Sequence, residues 1–126
     1  MANRHAVKGN KYETELAAYI NEHTGLSSFR TPLSGGGFTW LPQLADLMGT
    51  PELHIEAKRT ERPQILKALE QAEEAISKTS ADETPIVITR KNLMPIEKSL
   101  CVMRLEDFVQ LYGSYLQREG HTKENK

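Results

Sequence analysis

The stretch Leu53-His54-Ile55-Glu56-Ala57-Lys58-Arg59 has residue types and spacing that can do chemistry. Leu53, Ile55 and Ala57 alternate with His54, Glu56 and Lys58, the period of a half-buried strand. Glu56 and Lys58 then share one face. A carboxylate beside an ammonium can hold a divalent metal and orient a water; it can equally be a plain ion pair on a sheet surface. Asp46 sharpens the choice. It lies in the apolar run Leu44 to Met48, and the turn Gly49-Thr50-Pro51 returns the chain into the Glu56 strand. An antiparallel hairpin sets Asp46 near Glu56, where two carboxylates repel unless something cationic lies between them. Glu13 is a third acid of interest, at the border of an apolar helical stripe, where it needs water or a basic partner.

Other groups offer less. His5, His23, His54 and His121 are scattered without companion cysteines and make no zinc site, although His54 shares the strand face of Glu56. Cys101, the single cysteine, sits in an apolar run and is expected to pack rather than react. Gly35-Gly36-Gly37 allows close backbone approach to a ligand. The loop lacks the Gly-Lys-Ser/Thr of a nucleotide P-loop, so no nucleotide cofactor is expected.

The elements that must position these residues follow from periodicity. Tyr12, Leu16, Tyr19 and Ile20 predict a helix from Lys8 to His23, stopped at Thr24-Gly25, with Glu15 and Glu22 pointing away from its stripe. Ser28 to Thr31 reads as a short strand. Phe38, Trp40 and Leu41 are expected to cap the core, with base stacking as the alternative. Pro63 opens a second helix, carried by Ile65, Leu69, Ala72 and Ile76 and ending near Lys78. Pro85 to Arg90 and Leu100 to Met103 read as strands. A last amphipathic helix from Leu105 bears Phe108, Tyr112 and Tyr115, a stripe that more often closes a monomer core than a dimer. The expected fold is a single α/β domain over residues 1–117, a mixed sheet of about five strands flanked by helices. Residues 118–126 form a polar, frayed tail.

Composition sets the bounds. A chain of 126 residues suits one domain. No apolar run is long enough to span a membrane, the N-terminus is unlike a signal peptide, and one cysteine suits a reducing cytoplasmic setting. The net charge of −1 gives no global pull toward nucleic acid. Basic residues nevertheless gather at Arg4, Lys8 and Lys11, at Lys58, Arg59 and Arg62, and at Arg90-Lys91, so one face can be basic.

Taken in order, Lys8-Gly9, Glu13-Thr14-Glu15-Leu16, Arg30, Ser34-Gly35-Gly36, Asp46 and Glu56-Ala57-Lys58 resemble the PD-(D/E)XK nuclease superfamily and, within it, the archaeal-type Holliday junction resolvases. The continuous stretch from Ala45 to Arg59 is similar to small phage-encoded resolvase-like nucleases. The resemblance covers Lys8 to Tyr115. Asp46 follows Ala45 where the family's acid usually follows proline or glycine. A register on Pro42-Gln43 is set aside because Gly49-Thr50-Pro51 fits the hairpin only with Asp46 as the acid. Residues from Phe38 to Leu44 look like an insertion.

The resemblance implies a restriction-endonuclease-like core and a metal-dependent, structure-selective DNA endonuclease, foremost a Holliday junction resolvase. It implies that Glu13, Asp46, Glu56 and the Ala57 carbonyl bind Mg2+, with Mn2+ as substitute, through hard oxygen donors. Lys58 would orient or help deprotonate the attacking water. Ser34 would contact the metal-bound water or the scissile phosphate. Gly35, Gly36, Arg30, Arg59, Arg90 and Lys91 would meet branched or double-stranded DNA at its backbone. A two-fold junction also implies a homodimer. The alternatives are a nicking or restriction-like nuclease on duplex or flap DNA, and a catalytically silent DNA-binding module.

Overall fold

The computed structural model describes residues 4–32, 44–59, 64–79 and 82–123, with side chains from residue 11 onward. Among these residues the chain is a mixed α/β protein of three helices and five strands. The first helix, α1, runs Arg4–Thr24. Gly25 ends it at φ +77°, its N–H donating to Asn21 O at 2.9 Å, a left-handed cap that glycine adopts without steric cost. Strands β1 (Phe29–Arg30) and β2 (Leu47–Met48) pair antiparallel. Strand β3 (Leu53–Lys58) leads to helix α2 (Ile65–Thr79) and then to β4 (Thr84–Thr89), which pairs parallel with β3. A short 3-10 turn, Ile96–Lys98, precedes β5 (Leu100–Val102), antiparallel to β4, and the last helix, α3, is Leu105–Arg118.

The expected single sheet of about five strands is instead two sheets, β1-β2 and β3-β4-β5. The hairpin between β2 and β3 exists, but its ladder is reduced to one pairing bond, Asp46 N–H to Ile55 O at 2.9 Å, beside the turn bond from Leu53 N–H to Thr50 O at 3.1 Å. Gly49 (φ +78°) and Glu52 (φ +67°) shape that turn. A Cβ at position 49 would lie 2.9 Å from Ser27 O, so the turn packs directly on the backbone before β1.

Two apolar layers follow from strand alternation. Tyr12, Leu16 and Ala17 of α1 pack with Leu47, Ile55 and Ile88 on one face of the sheet. Val87, one residue out of phase with Ile88, packs with Ala68 and Leu69 of α2 on the other. Each large side chain buried this way stabilises the fold by about 1.5–3 kcal/mol. Tyr12 is fully buried, and its hydroxyl donates to Ser99 Oγ at 2.9 Å.

Two expectations about packing are corrected. Cys101 is exposed rather than packed, because the described residues leave its side of β5 uncovered. Helix α3 does not close the core: it has no buried residue, and its firmest tie is the pair of 3.0 Å bonds from Arg104, just before it, to Glu73 on α2. No helix among the described residues is long and apolar enough to cross a membrane. Residues 33–43 and 60–63, with Phe38, Trp40, Leu41, Arg62 and Pro63, lie outside the described residues, as do the side chains of Arg4, His5 and Lys8.

Candidate functional site

Asp46 is fixed by its backbone before its side chain does anything. Its N–H donates to Ile55 O on β3, and its C=O accepts the N–H of Thr31, each at 2.9 Å. Thr31 is itself buried, its hydroxyl donating to Ala45 O at 2.6 Å. The Asp46 carboxylate then accepts the N–H of Ala57 at 2.8 Å through Oδ2. Residues 55 and 57 present their backbone groups to the same side of β3, so the side chain takes the donor that a longer β2 would have used.

Glu56 and Lys58 leave the face of β3 opposite Ile55, as the alternation requires. Glu56 Oε1 lies 3.1 Å from Nε2 of His54, which is buried and has Glu83 Oε1 at 3.7 Å from its other ring nitrogen. Glu13 comes from α1 on the other layer and pairs with Arg30, Nε to Oε2 3.2 Å. Arg30 belongs to β1, so Glu13, Asp46 and Glu56 arrive from three separate elements.

Electrostatics joins what the backbone separates. Burial raises the Asp46 pKa from 3.8 to about 7, helped by the charges of Glu56 and Glu13 and opposed by the Ala57 N–H bond and Lys58. Burial also raises Glu13, against the pull of Arg30 and with the push of Glu56. For His54, burial alone would lower the pKa, but bonding and charge from Glu56 and Glu83 outweigh it and the net shift is upward. Three carboxylates gathered around Lys58 and Arg30, two of them with raised pKa, lie in a half-buried place, a frequent mark of functional sites.

The donor chemistry, carboxylate and peptide oxygens, fits a hard divalent cation. The side-chain positions do not close around one: among the described residues no group of three His, Cys, Asp or Glu side chains is placed to hold a metal ion. The reason is visible. Glu13 is turned to Arg30, Glu56 to His54, and Asp46 to the Ala57 amide. At Ala57 it is the N–H, rather than the carbonyl expected as a metal ligand, that meets Asp46.

The basic residues divide. Arg90 was expected at a DNA surface, but its side chain is only 6% exposed, with Nη1 3.1 Å from Glu15 Oε2 and the guanidinium 4.7 Å from the centre of the Tyr12 ring. Glu15 therefore points to Arg90 and not simply to water. Lys91 is exposed. The Nε atoms of Arg30, Arg59 and Arg90 are buried without an aligned hydrogen-bond acceptor among the described residues. Ser34, Gly35 and Gly36 lie outside the described residues. Thr31 and Glu83 were not anticipated as site residues. Thr31 had no signal beyond its place in a short strand, and Glu83 had none beyond its polar surroundings in the sequence.

The chain matches no protein-family model, no curated protein and no solved structure.

Proposed function

We propose that this chain is a metal-dependent, structure-selective DNA endonuclease of restriction-endonuclease-like fold, foremost a Holliday junction resolvase. The observation that carries the reading is Asp46 held against the Ala57 amide, with the charges of Glu13, Glu56 and Lys58 converging on it. A bound Mg2+ or Mn2+ would supply Lewis-acid stabilisation of charge on the phosphodiester oxygens. Asp46, Glu13 and Glu56 are the residues that would hold it, the last two after leaving Arg30 and His54. Lys58, on the face of Glu56, orients the attacking water and offsets negative charge as it develops. Arg30 and Arg59, both partly exposed, would meet backbone phosphate, and Lys91 offers an exposed ammonium. These contacts position DNA without reading its sequence.

One observation favours a second reading, a non-catalytic DNA-binding module: each acid of the cluster already has a protein partner. The two readings part in one experiment. A labelled four-way junction and a matched linear duplex are incubated with the protein in Mg2+, in Mn2+ and in chelator. Paired, metal-dependent cuts confined to the junction support the resolvase. Equal cutting of both substrates keeps the nuclease and removes the junction preference. Tight junction binding with no cut in either metal favours the module.

A further inference from the structure

Helix α3 presents an apolar face that the described residues of its own chain do not cover. Phe108, Leu111, Tyr112 and Tyr115 are each 46% exposed or more. The three rings follow one another along the helix, with centroids 5.8 and 6.5 Å apart. These side chains form the near wall of a groove of about 670 Å3, and Pro51 and Leu53 at the start of β3 stand on its far wall. Contiguous exposed apolar surface framed by polar residues marks an interaction site.

We propose that this groove docks a basic amphipathic helix of a different protein. Charge selects that occupant. Glu52, Asp82 and Asp107 also line the groove, and none of the three is in an ion pair among the described residues. Arg118 is the one cation on the described walls, and it already lies 3.9 Å from Glu119 and over the Tyr115 ring. The groove is thus framed by uncompensated negative charge, which repels nucleic acid and anionic lipid headgroups and attracts Lys or Arg.

The backbone selects a helix. The N–H groups on the far wall are already used: Leu53 donates to Thr50 O at 3.1 Å and Thr84 to Glu52 O at 2.8 Å. The groove therefore offers side chains rather than a free strand edge, which suits a helix laid in a groove and not an added strand. Phe108, Leu111, Tyr112 and Tyr115 are themselves spaced i, i+3, i+4 and i+7, so a partner stripe of the same spacing meets them along its length. A helix of about 14 residues matches α3.

The groove lies at the start of the parallel β3-β4 pair, whereas Asp46 meets Ala57 toward its other end, about 13 Å along the strand. The inference goes beyond the nuclease reading, and its readout is peptide binding rather than cleavage, so either can fail without the other.

The test is fluorescence anisotropy of two labelled peptides of about 15 residues with the full chain. One carries leucine at i, i+3, i+4, i+7 and i+11 with lysine and alanine elsewhere; in the other every lysine is glutamate. The lysine peptide is expected to bind with a Kd below about 100 μM, and the glutamate peptide about tenfold or more weakly. Phe108→Ser with Tyr112→Ser, at exposed positions where the circular dichroism spectrum should be unchanged, weakens the lysine peptide about tenfold or more. Glu52→Lys with Asp82→Lys reverses the preference, so that the glutamate peptide binds the tighter. A lysine peptide that does not bind at about 100 μM overturns the proposal. So does binding indifferent to either pair of substitutions, because the peptide would then be held elsewhere. Self-association that shuts the lysine peptide out would overturn it too, assigning the face to a second copy.

Discussion

The carboxylate of Asp46 accepts the backbone N–H of Ala57 at 2.8 Å, one same-side donor beyond the Ile55 carbonyl that its own N–H reaches. A side chain thus finishes a ladder that the backbone of β2 begins. This places a half-buried acid against the β3 edge, with Glu56 and Lys58 on either side of its partner in the sequence.

Asp46→Asn separates chemistry from folding. On the nuclease reading, cleavage falls about 10²–10³-fold, the scale for losing one group of a preorganised charged site, while junction affinity is kept. Stability moves the other way. The folded-state pKa of about 7 lies above the unfolded 3.8, so the contribution of Asp46 is full below about pH 4 and is lost as pH rises through 7. Asparagine keeps an acceptor for Ala57 and carries no charge. The variant should therefore exceed the wild type at pH 8, by on the order of 1–3 kcal/mol in urea unfolding, and the gap should close at pH 4.

His54→Gln tests whether the histidine holds Glu56 in place. The His54 pKa is raised in the folded state, so its stabilisation is present at acid pH and fades as pH rises through that raised value. The variant is expected to be less stable than the wild type at pH 5.5 and closer to it at pH 8.5. If the site binds metal, Mn2+ affinity measured by calorimetry should change about 10-fold or more, the scale for losing an outer partner of a ligand. An unchanged affinity would mean that Glu56 takes no part in metal binding.

Gly49 and Gly25 share a positive φ but not an environment. Alanine at 25 meets open space and should cost about 1 kcal/mol in conformational energy alone. Alanine at 49 adds a 2.9 Å approach to Ser27 O and a 3.0 Å approach to Ser28 Cα, so the turn must shift. Thermal unfolding should show a loss at least twice as large for Gly49→Ala, and any activity that depends on Asp46 should fall with it.

Arg90 and Lys91 are neighbours with opposite duties. Arg90→Met removes the bond to Glu15 and the contact over Tyr12 from a buried place, and about 1–3 kcal/mol of stability should go with them. Lys91→Ala, at an exposed position, should leave unfolding within about 0.5 kcal/mol. On the DNA-binding reading it lowers affinity and reduces its salt dependence. Equal effects on stability would contradict the inward placement of Arg90.

Helix periodicity, glycine stops and strand alternation read locally set nearly every element here. The stripe of Tyr12 and Leu16 marked α1, Gly25 its end, and the alternation through Lys58 put Glu56 and Lys58 on one face, because these signals depend only on neighbours in the chain. The pairing of Asp46 with the β3 edge was foreseen as a hairpin, from the turn residues between them. Tertiary structure decided what local rules do not reach. It split the strands into two sheets, turned Arg90 inward onto Glu15 and Tyr12, brought Glu83 to His54, and left the apolar face of α3 uncovered by the described residues. Each of these rests on contacts between residues far apart in sequence, and their outcome depends on which surfaces the packed elements leave free. An amphipathic stripe looks the same in sequence whether its own core or another molecule covers it.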